Sequence, residues 1–398
     1  MADPAGPGLL ARARSVVAWC RLPARVRREI RQDRLGPDRQ DPGIELAVGE
    51  AMRWLARAQD RSASADGGVA RDYSLIDGWS PSYPETTGYI IPTCFAFARL
   101  TDDPSYHTRA RRMADWLVSI QLPDGAFQGG RIDQVPVRPV TFNTGQILFG
   151  LVAATTCAGP EYRESMRRAA DWLTGTQDAD GAWRRFPTPF ARPGEKTYET
   201  HVAWALMEAE RVEPGRGYGD AALANVRWAL SRQQANGWFA DCCLSDPARP
   251  LTHTIGYALR GVVEAYRLSR DDVFLAAARR TADGLVGVVR PDGMLSGRLN
   301  PDWSPAVSWS CLTGQVQIAH SLLMLHQWTG DPRYLDTGRR ANRFVRRTVS
   351  LTGAEGTRGG IKGSFPVDGA YGRFQYLNWA AKFFVDANLL EAQHRDGG

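Results

Sequence analysis

Polar side chains open six segments of the chain that are otherwise apolar, and their types are those that enzymes use to move protons. Glutamate and histidine serve as general acids and bases, while tyrosine and asparagine stabilise charge that develops on a substrate. Helix capping accounts for Thr86, Thr141 and Thr252 but not for the others, which we predict line one functional pocket. The predicted catalytic residues are Glu199, Glu85, His201, His253 and Tyr257. The predicted substrate-binding residues are Asn143, Gln146, Tyr89, Tyr198, Trp309, Gln315, Tyr376 and Asn378.

Glu199 is the first choice among the catalytic candidates. A carboxylate on a mostly apolar helix is costly to bury unless it is paired or protonated, so we expect its pKa to be raised. A raised pKa suits a general acid near neutral pH, and Glu199→Gln is then expected to lower turnover at least about a hundredfold. The alternative role is structural, a salt bridge to Arg192 or Lys196 in the preceding loop.

Two chemistries fit these residue types, and the residues alone do not separate them. Glycoside hydrolysis requires two carboxylates, and Glu85 and Glu199 are the carboxylates at the segment openings. Further carboxylates are available from the loops, at Asp241, Asp302 and Asp368. Elimination or epimerisation at a uronic acid instead requires a tyrosine or histidine that removes a proton next to a neutralised carboxylate.

Two classes of helical segment alternate along the chain and would position these residues. Amphipathic segments with charged outer faces alternate with segments that are apolar on most faces, as buried helices are. The amphipathic segments span 44–58, 106–121, 162–177, 220–233, 273–289 and 334–349. The apolar segments span 85–100, 141–156, 198–212, 252–268, 310–328 and 375–390. Six such pairs predict an all-α (α/α)6 toroid over residues 43–398, preceded by a basic arm over residues 1–42.

Connections of two lengths separate the segments. Short turns such as TDDPSY and TGDPRY contain an Asp that can cap a helix and a Pro suited to the first helical turn. Loops of roughly 15–25 residues follow the amphipathic segments, and long loops in compact domains are usually functional. The alternation places all the long loops at one rim, where they would form the mouth of a funnel.

A Trp–Gln–Asp–Gly element recurs along the chain and carries a resemblance to known families. Its glycines are 67, 125, 181, 237 and 293, a spacing of 56 to 58 residues that indicates a repeat architecture. The element resembles the QW-type repeat of terpene cyclases and protein prenyltransferases. The two-layer pattern with TGDPRYLD at 329–336 resembles six-hairpin glycosidases, polysaccharide lyases and sugar epimerases. The resemblance covers about residues 43–392 and implies the toroid fold, which hosts several chemistries.

The resemblance leaves three functions open. The first is a carbohydrate-active enzyme, glycoside hydrolase-like or uronate lyase/epimerase-like, that acts on an oligosaccharide or a lipid-linked glycan. The second is a terpenoid cyclase-like or prenyl-binding toroid, although the acidic DxDD and DDxxD motifs of those enzymes are absent from the sequence. The third is a non-catalytic scaffold. Part of a prenyltransferase zinc site is imitated, with loose spacing, by Asp241, Cys243, His253 and Cys311. We expect neither a metal nor a cofactor.

Charge and composition predict where the protein resides and which partners it contacts. The net charge is +6, and much of it lies between residues 9 and 34, where eight arginines alternate with apolar residues. We expect this arm to lie on the barrel, with contact to an anionic inner-membrane surface as the alternative. Arginine pairs on the amphipathic segments do not form one basic stripe, which argues against nucleic acid. Six cysteines without CxxC spacing, no transmembrane run and no signal peptide predict a cytoplasmic protein with reduced thiols.

Overall fold

Helices dominate the computed structural model, which describes residues 19–394. In chain order they are α1 (Ala24–Asp33), α2 (Ile44–Asp60), α3 (Pro84–Thr101), α4 (Pro104–Ser119), α5 (Thr141–Cys157), α6 (Arg163–Gly175), α7 (Thr200–Val212), α8 (Tyr218–Leu230), α9 (Thr252–Ser269), α10 (Asp272–Val286), α11 (Leu312–Thr329), α12 (Pro332–Arg346) and α13 (Asn378–Gln393). Short 3-10 turns, Pro160–Tyr162 and Thr197–Glu199, precede α6 and α7.

The odd-numbered helices from α3 to α13 form an inner ring, and the even-numbered helices surround it. Each inner helix packs against the next one, and α13 returns to pack against α3 and α2. Every residue of α5 from Thr141 to Val152 is buried, whereas the buried residues of α12 recur at intervals of three and four. The predicted (α/α)6 toroid is therefore confirmed.

Glycines allow two inner helices to approach closely. A Cβ atom on Gly88 of α3 would lie 2.4 Å from the Cα atom of Ile147, and one on Gly150 of α5 would lie 2.4 Å from the carbonyl oxygen of Gly88. Both contacts are with backbone, which cannot move aside as a side chain can. The first two inner helices thus meet along their backbones near the axis.

The short turns at one rim follow the predicted capping chemistry. The carboxylates of Asp103, Asp271 and Asp331 each accept a hydrogen bond from the backbone N–H two residues later, at 2.9 to 3.1 Å. Pro104 and Pro332 occupy the first turns of α4 and α12. These caps satisfy backbone donors that a helix start otherwise leaves unpaired.

The long loops at the opposite rim contain short strands. They are β1 (Asp72–Ser74), β2 (Gly78–Trp79), β3 (Ser310–Cys311), β4 (Ser364–Phe365) and β5 (Gln375–Leu377). The order β2-β1-β5 makes an antiparallel sheet with Tyr73 opposite Tyr376, and β3 pairs with β4. The prediction that residues 310–311 and 375–377 begin helices is wrong, because loop pairing holds their backbone extended and the helices start at 312 and 378.

The repeated glutamine joins neighbouring repeats. The Nε2 atom of Gln177 donates to the carbonyl oxygen of Gly181 in its own loop and to that of Ala221 in the next outer helix, both at 2.9 Å. Gln121 makes the equivalent bonds to Gly125 and to the backbone of the following repeat. The repeated glycines adopt positive φ angles, 93° at Gly181, which favour a residue without a Cβ atom. The element is therefore part of the scaffold.

A buried arginine closes the ring. Arg346 of α12 is 1% exposed, and its Nη2 atom lies 2.8 Å from a carboxylate oxygen of Asp41, just before α2. Its Nη1 atom lies 2.8 Å from Glu391 near the end of α13 and 2.6 Å from the amide oxygen of Asn388. One guanidinium thus links the start of the first outer helix to the end of the last inner helix.

The basic arm packs on the mouth loops through α1. Val26 and Ile30 are buried, and Lys362 forms ion pairs with Glu29 at 2.6 Å and with Asp33. Residues 1–18, which include the start of the arginine-rich stretch, lie outside the described residues. In the described part, no helix combines the length and apolarity that a membrane span requires.

Candidate functional site

A cavity of about 540 Å³ lies at the rim where the inner helices begin, and we call it the main cavity. Its size falls within the usual range for small-molecule sites. The first turns of α3 and α9 and the long loops contribute most of its wall. The lining residues are Arg71, Tyr83, Glu85, Thr86, Tyr89, Arg131, Gln134, Phe142, Thr188, Phe190, Tyr198, Leu244, His253, Thr254, Tyr257, Tyr371 and Trp379.

Glu85 is the carboxyl group of this wall. The side chain keeps some accessible surface because it faces the cavity, yet protein surrounds the cavity on the other sides. Burial raises the pKa of Glu85 to about 7, although a hydrogen bond with Tyr83 and the charge of Arg71 act in the opposite direction. Near neutral pH this carboxyl therefore exchanges readily between its acid and base forms.

Aromatic rings and one arginine surround the carboxyl group. The guanidinium of Arg71 lies 5.0 Å from the ring centroid of Trp379 and 5.9 Å from that of Tyr83, within cation–π range. Its Nη1 atom also forms an ion pair with Asp72 at 2.8 Å. The indole N–H of Trp379 donates to the hydroxyl of Tyr371 at 2.8 Å. The wall thus combines flat apolar faces with a fixed guanidinium whose charge is shared with Asp72.

His253 contributes a neutral imidazole to the opposite side. Its Nδ1 atom lies 2.7 Å from the amide oxygen of Gln317, to which the Nδ1–H group donates. Burial lowers the pKa of His253 to about 4, while the bond with Gln317 raises it slightly. The ring packs against Tyr257 and Tyr371, with centroid distances of 4.4 and 5.5 Å. The remaining Nε2 atom is therefore a lone-pair acceptor at neutral pH.

The tyrosines of the wall remain protonated. Burial raises the pKa values of Tyr83, Tyr257 and Tyr371 well above the ordinary phenol value. Neutral phenols donate and accept hydrogen bonds but do not act as bases without an activating neighbour. Proton removal by a tyrosine is consequently the least favoured of the predicted roles.

The structure brings together five of the predicted residues at the main cavity and places the others elsewhere. Those on its wall are Glu85, Tyr89, Tyr198, His253 and Tyr257. Those away from it are Glu199, His201, Asn143, Gln146, Trp309, Gln315, Tyr376 and Asn378. Asn143 lies in the first turn of α5, where it is fully buried beside Tyr83 of the cavity wall. His201 faces a second cavity at the other end of the toroid.

Three of the displaced residues serve the scaffold. The amide of Gln315 donates to the carbonyl oxygens of Gly293 and Ala341 at 2.9 Å, replacing the repeat glutamine that the fifth copy lacks. The hydroxyl of Tyr376 donates to Glu29 of α1 at 2.9 Å. The amide of Asn378 donates to the carbonyl oxygen of Ala70 at 2.9 Å. The prediction from polar residue type alone therefore overestimated how many of these side chains face the axis.

Glu199 is buried behind the wall rather than on it. It belongs to the 3-10 turn before α7 and is 5% exposed, and its Oε2 atom has no hydrogen-bond partner. Burial raises the pKa of Glu199 well above its usual range, as predicted, while Lys196 and Arg184 lower it. Its neighbour Tyr198, and not Glu199, reaches the main cavity.

Loop residues that the sequence did not single out complete the wall. Arg71 and Tyr83 flank the first sheet, Arg131 follows the second repeat element, and Tyr371 lies between β4 and β5. The length of these loops indicated a functional role, but nothing in their composition indicates which of their residues point into the cavity. Among residues 19–394, no group of three or more His, Cys, Asp or Glu side chains is placed to hold a metal ion.

Comparison with known sequences relates part of the chain to isoprenoid cyclases. The family profile of the squalene-hopene cyclase C-terminal domain matches residues 80–263. Drimenyl diphosphate synthase of Streptomyces showdoensis is 29% identical over 217 residues. The alignment covers 52% of this chain and 37% of that protein, so the chain spans well under half of the length of this relative.

Comparison with solved structures relates nearly the whole chain to carbohydrate enzymes. An unsaturated glucuronyl hydrolase specific for heparin superimposes with a TM-score of 0.71 and 16% identity, over 90% of this chain and 99% of its own. Cellobiose 2-epimerase from Bacillus thermoamylovorans gives a TM-score of 0.68 and 12% identity, over 88% and 98%. These structures share the α/α-toroid fold of the present chain. At these identities the likeness establishes the fold and not the reaction.

Proposed function

We propose that the protein is a carbohydrate-active enzyme that binds an acidic sugar in the main cavity and uses Glu85 to transfer a proton. The observation that carries the proposal is a carboxyl with a pKa of about 7 beside the fixed positive charge of Arg71. Arg131, whose Nε atom forms an ion pair with Asp133 at 3.0 Å, adds a second guanidinium to the wall. The N-termini of the inner helices point to the same end, and their dipoles also favour an anionic ligand.

The acid strength of Glu85 favours sugar chemistry over alkene chemistry. A group with a pKa near the working pH is suited to protonating a glycosidic oxygen or an electron-rich enol ether. Protonation of an isolated alkene requires a much stronger acid, and burial makes Glu85 a weaker acid than an ordinary carboxyl. The raised pKa therefore supports the carbohydrate hypothesis.

The number of carboxyl groups favours lyase-like or epimerase-like chemistry within that class. Hydrolysis by the two-carboxylate mechanism requires a second carboxylate across the scissile bond. Of the described residues, Glu85 is the carboxyl on the wall of the main cavity, with Glu199 behind it. Three side chains of the wall suit a uronic acid. Glu85 would donate or accept the proton, Arg71 would face the substrate carboxylate, and neutral His253 would accept a hydrogen bond.

An isoprenoid substrate is the second candidate. Two observations favour it: the sequence matches to cyclases, and the many aromatic rings of the wall, which stabilise carbocations. A wall of aromatic residues alone would have favoured this candidate more strongly. Glu85 and His253 do face the cavity, whereas Glu199 and His201 do not.

A substrate panel with one variant tests the proposal. Purified protein is incubated in deuterated buffer with uronic-acid oligosaccharides and neutral oligosaccharides, and separately with farnesyl diphosphate. Unsaturated products, new reducing ends and deuterium at C5 are measured for the sugars, and hydrocarbon products for the diphosphate. We expect conversion of the uronic-acid substrates, and Glu85→Gln is expected to lower it at least about a hundredfold because the transferable proton is lost.

The control for this experiment is Glu164→Gln. Glu164 is exposed on the outer helix α6, so the same chemical change there should leave turnover at the wild-type level. Conversion of farnesyl diphosphate without any change in the sugars would overturn the proposal in favour of the second candidate. Full turnover of uronic-acid substrates by a folded Glu85→Gln protein would remove Glu85 from the mechanism.

A further inference from the structure

A second cavity of about 330 Å³ lies at the opposite end of the toroid axis, and we call it the rear cavity. The second halves of α3 and α5, most of α7 and the middle of α13 enclose it. Its lining residues are Tyr89, Pro92, Thr93, Phe95, Ala96, Arg99, Phe149, Val152, Ala153, Thr156, Cys157, His201, Trp204, Glu208, Arg211, Lys382 and Asp386. The function proposed for the main cavity makes no use of this space.

An unpartnered imidazole nitrogen faces the rear cavity. His201 is 1% exposed, and its Nδ1 atom lies 2.8 Å from the amide oxygen of Gln146. Its Nε2 atom is buried without a hydrogen-bond partner, as is the Nε2 atom of Gln146. Buried polar atoms are nearly always paired, so the unpartnered nitrogen of His201, a residue of the cavity wall, indicates a missing ligand or water.

A buried ammonium group lies in the same wall. Lys382 is 5% exposed, and its Nζ atom lies 2.7 Å from a carboxylate oxygen of Asp386. The same carboxylate accepts a hydrogen bond from the hydroxyl of Thr93 at 2.7 Å. An ammonium group has three N–H donors. The ring faces of Tyr89 and Phe383 lie beside it, but they do not accept a hydrogen bond as an oxygen atom does. Lys382 can therefore donate to a further anion.

Positive charge also prevails at the entrance. Arg99 and Arg211 stand in the last turns of α3 and α7 and are exposed. The carboxylate of Glu208 accepts hydrogen bonds from Trp204, Arg211 and Arg267, so its charge is already shared among protein donors. The rear cavity is thus lined by three cationic side chains and two carboxylates, and both carboxylates already accept hydrogen bonds from protein groups.

Aromatic rings separate the two cavities. Tyr89 borders both of them. The ring of Tyr257 lies 4.5 Å from that of His201 and 5.9 Å from that of Phe383, measured between centroids. This layer divides the axis, so a molecule in one cavity does not reach the other without displacing it.

We propose that the rear cavity is a second binding site, for a small anion that carries a hydroxyl group. Lys382 and Arg99 would pair with the charge, and the hydroxyl would donate to the Nε2 atom of His201. The apolar faces of Phe149 and Trp204 would cover the carbon skeleton. A sugar acid and a hydrogen phosphate share this chemistry. The proposal does not depend on the reaction assigned to the main cavity.

Titration of the full-length protein with four probes tests the proposal. The probes are glucuronate and inorganic phosphate, which fit the site, and glucose and glucosamine, which lack the negative charge. Affinity is measured by calorimetry, and the side-chain nitrogen resonances of His201 and His253 report which cavity is occupied. We expect at least one anion to shift His201 at concentrations that leave His253 unchanged, with weaker or no binding of glucose and glucosamine.

Two variants and a control accompany the titration. Lys382→Met should weaken anion binding at least about tenfold, because a charge-assisted hydrogen bond is lost. Arg99→Gln removes an exposed charge and should weaken binding severalfold without affecting the fold. Arg112→Gln removes the same charge from the outer helix α4 and should leave the affinity unchanged. Anion binding that shifts only His253, or that is equal in Arg99→Gln and wild type, would overturn the proposal, as would the absence of binding by both anions.

Discussion

Three effects compete at Glu85, and their balance determines its chemistry. Burial disfavours the charged form, while the Tyr83 hydrogen bond and the Arg71 guanidinium favour it. Burial prevails, but the two opposing partners hold the pKa at about 7. Burial also raises the pKa of Glu199 well above its usual range, against the charges of Lys196 and Arg184. Burial therefore prevails over the opposing partners at both glutamates, at Glu85 on the cavity wall and at Glu199 behind it.

The pH dependence of stability measures this balance directly. The pKa of Glu85 is raised from 4.5 in the unfolded chain to about 7 in the folded protein, so the folded state binds the proton more tightly. Its stabilising contribution is complete below pH 4.5 and is lost as the pH rises through about 7. The melting temperature of wild type, relative to that of Glu85→Gln, is therefore expected to decline between about pH 5 and pH 8. Parallel melting curves over that range would contradict the raised pKa.

The same acid form controls activity in the proposed reaction. If Glu85 donates the proton, the turnover number should fall as the pH rises through about 7, because the acid form is then depleted. Turnover that rises through the same region would instead assign Glu85 as the base.

At the scale of elements, the repeat could be predicted from sequence because it is local. Helix period, Asp caps and the Trp–Gln–Asp–Gly spacing each reflect contacts within one hairpin or between neighbours. The prediction of Glu85 and His253 as site residues used their place in first helical turns, whose direction the fold dictates, and both residues line the main cavity. Tyr376 lies outside the helices because β5 pairs with β1, and Trp309 lies in the loop just before β3. Arg71 and Tyr371 reach the cavity through loop conformations that no short-range pattern encodes.

The inter-repeat glutamine offers a test of element packing. The amide nitrogen of Gln233 donates to the carbonyl oxygen of Ala277 at 2.9 Å and to the hydroxyl of Thr281 at 3.0 Å, both in α10. Its amide oxygen accepts from Arg280 at 2.6 Å. Gln233→Ala is expected to lower the free energy of unfolding by roughly 1–3 kcal/mol, since each such bond contributes about 0.5–1.5 kcal/mol.

The adjacent residue provides the control. Gln234 is exposed and is bonded through its backbone, so Gln234→Ala should change the free energy of unfolding by less than about 0.5 kcal/mol. Denaturant unfolding of the two variants measures the difference. Equal losses would mean that the repeated glutamine does not join neighbouring repeats energetically.

At the scale of the whole molecule, the two rims of the toroid have different roles. The rim of short turns caps helices, and the rim of long loops builds the main cavity and is reinforced by short strands and by α1. The ring arrangement gives each inner helix two inner neighbours, so both cavities have walls supported from both sides.

The buried guanidinium that closes the ring implies that the fold has no preferred starting point. Because Arg346 holds Asp41 and Glu391 together, residues 44 and 393 lie where the other hairpins have their short turns. A circularly permuted chain, in which a short linker joins residue 393 to residue 41 and the new termini lie in the turn at 159–160, keeps Asp41 and is expected to fold to the same ring. Its helical circular-dichroism signal and its melting transition should match those of the protein without residues 1–40 in the original order. A permuted chain that fails to fold while this reference folds would show that chain order matters to the assembly of the toroid.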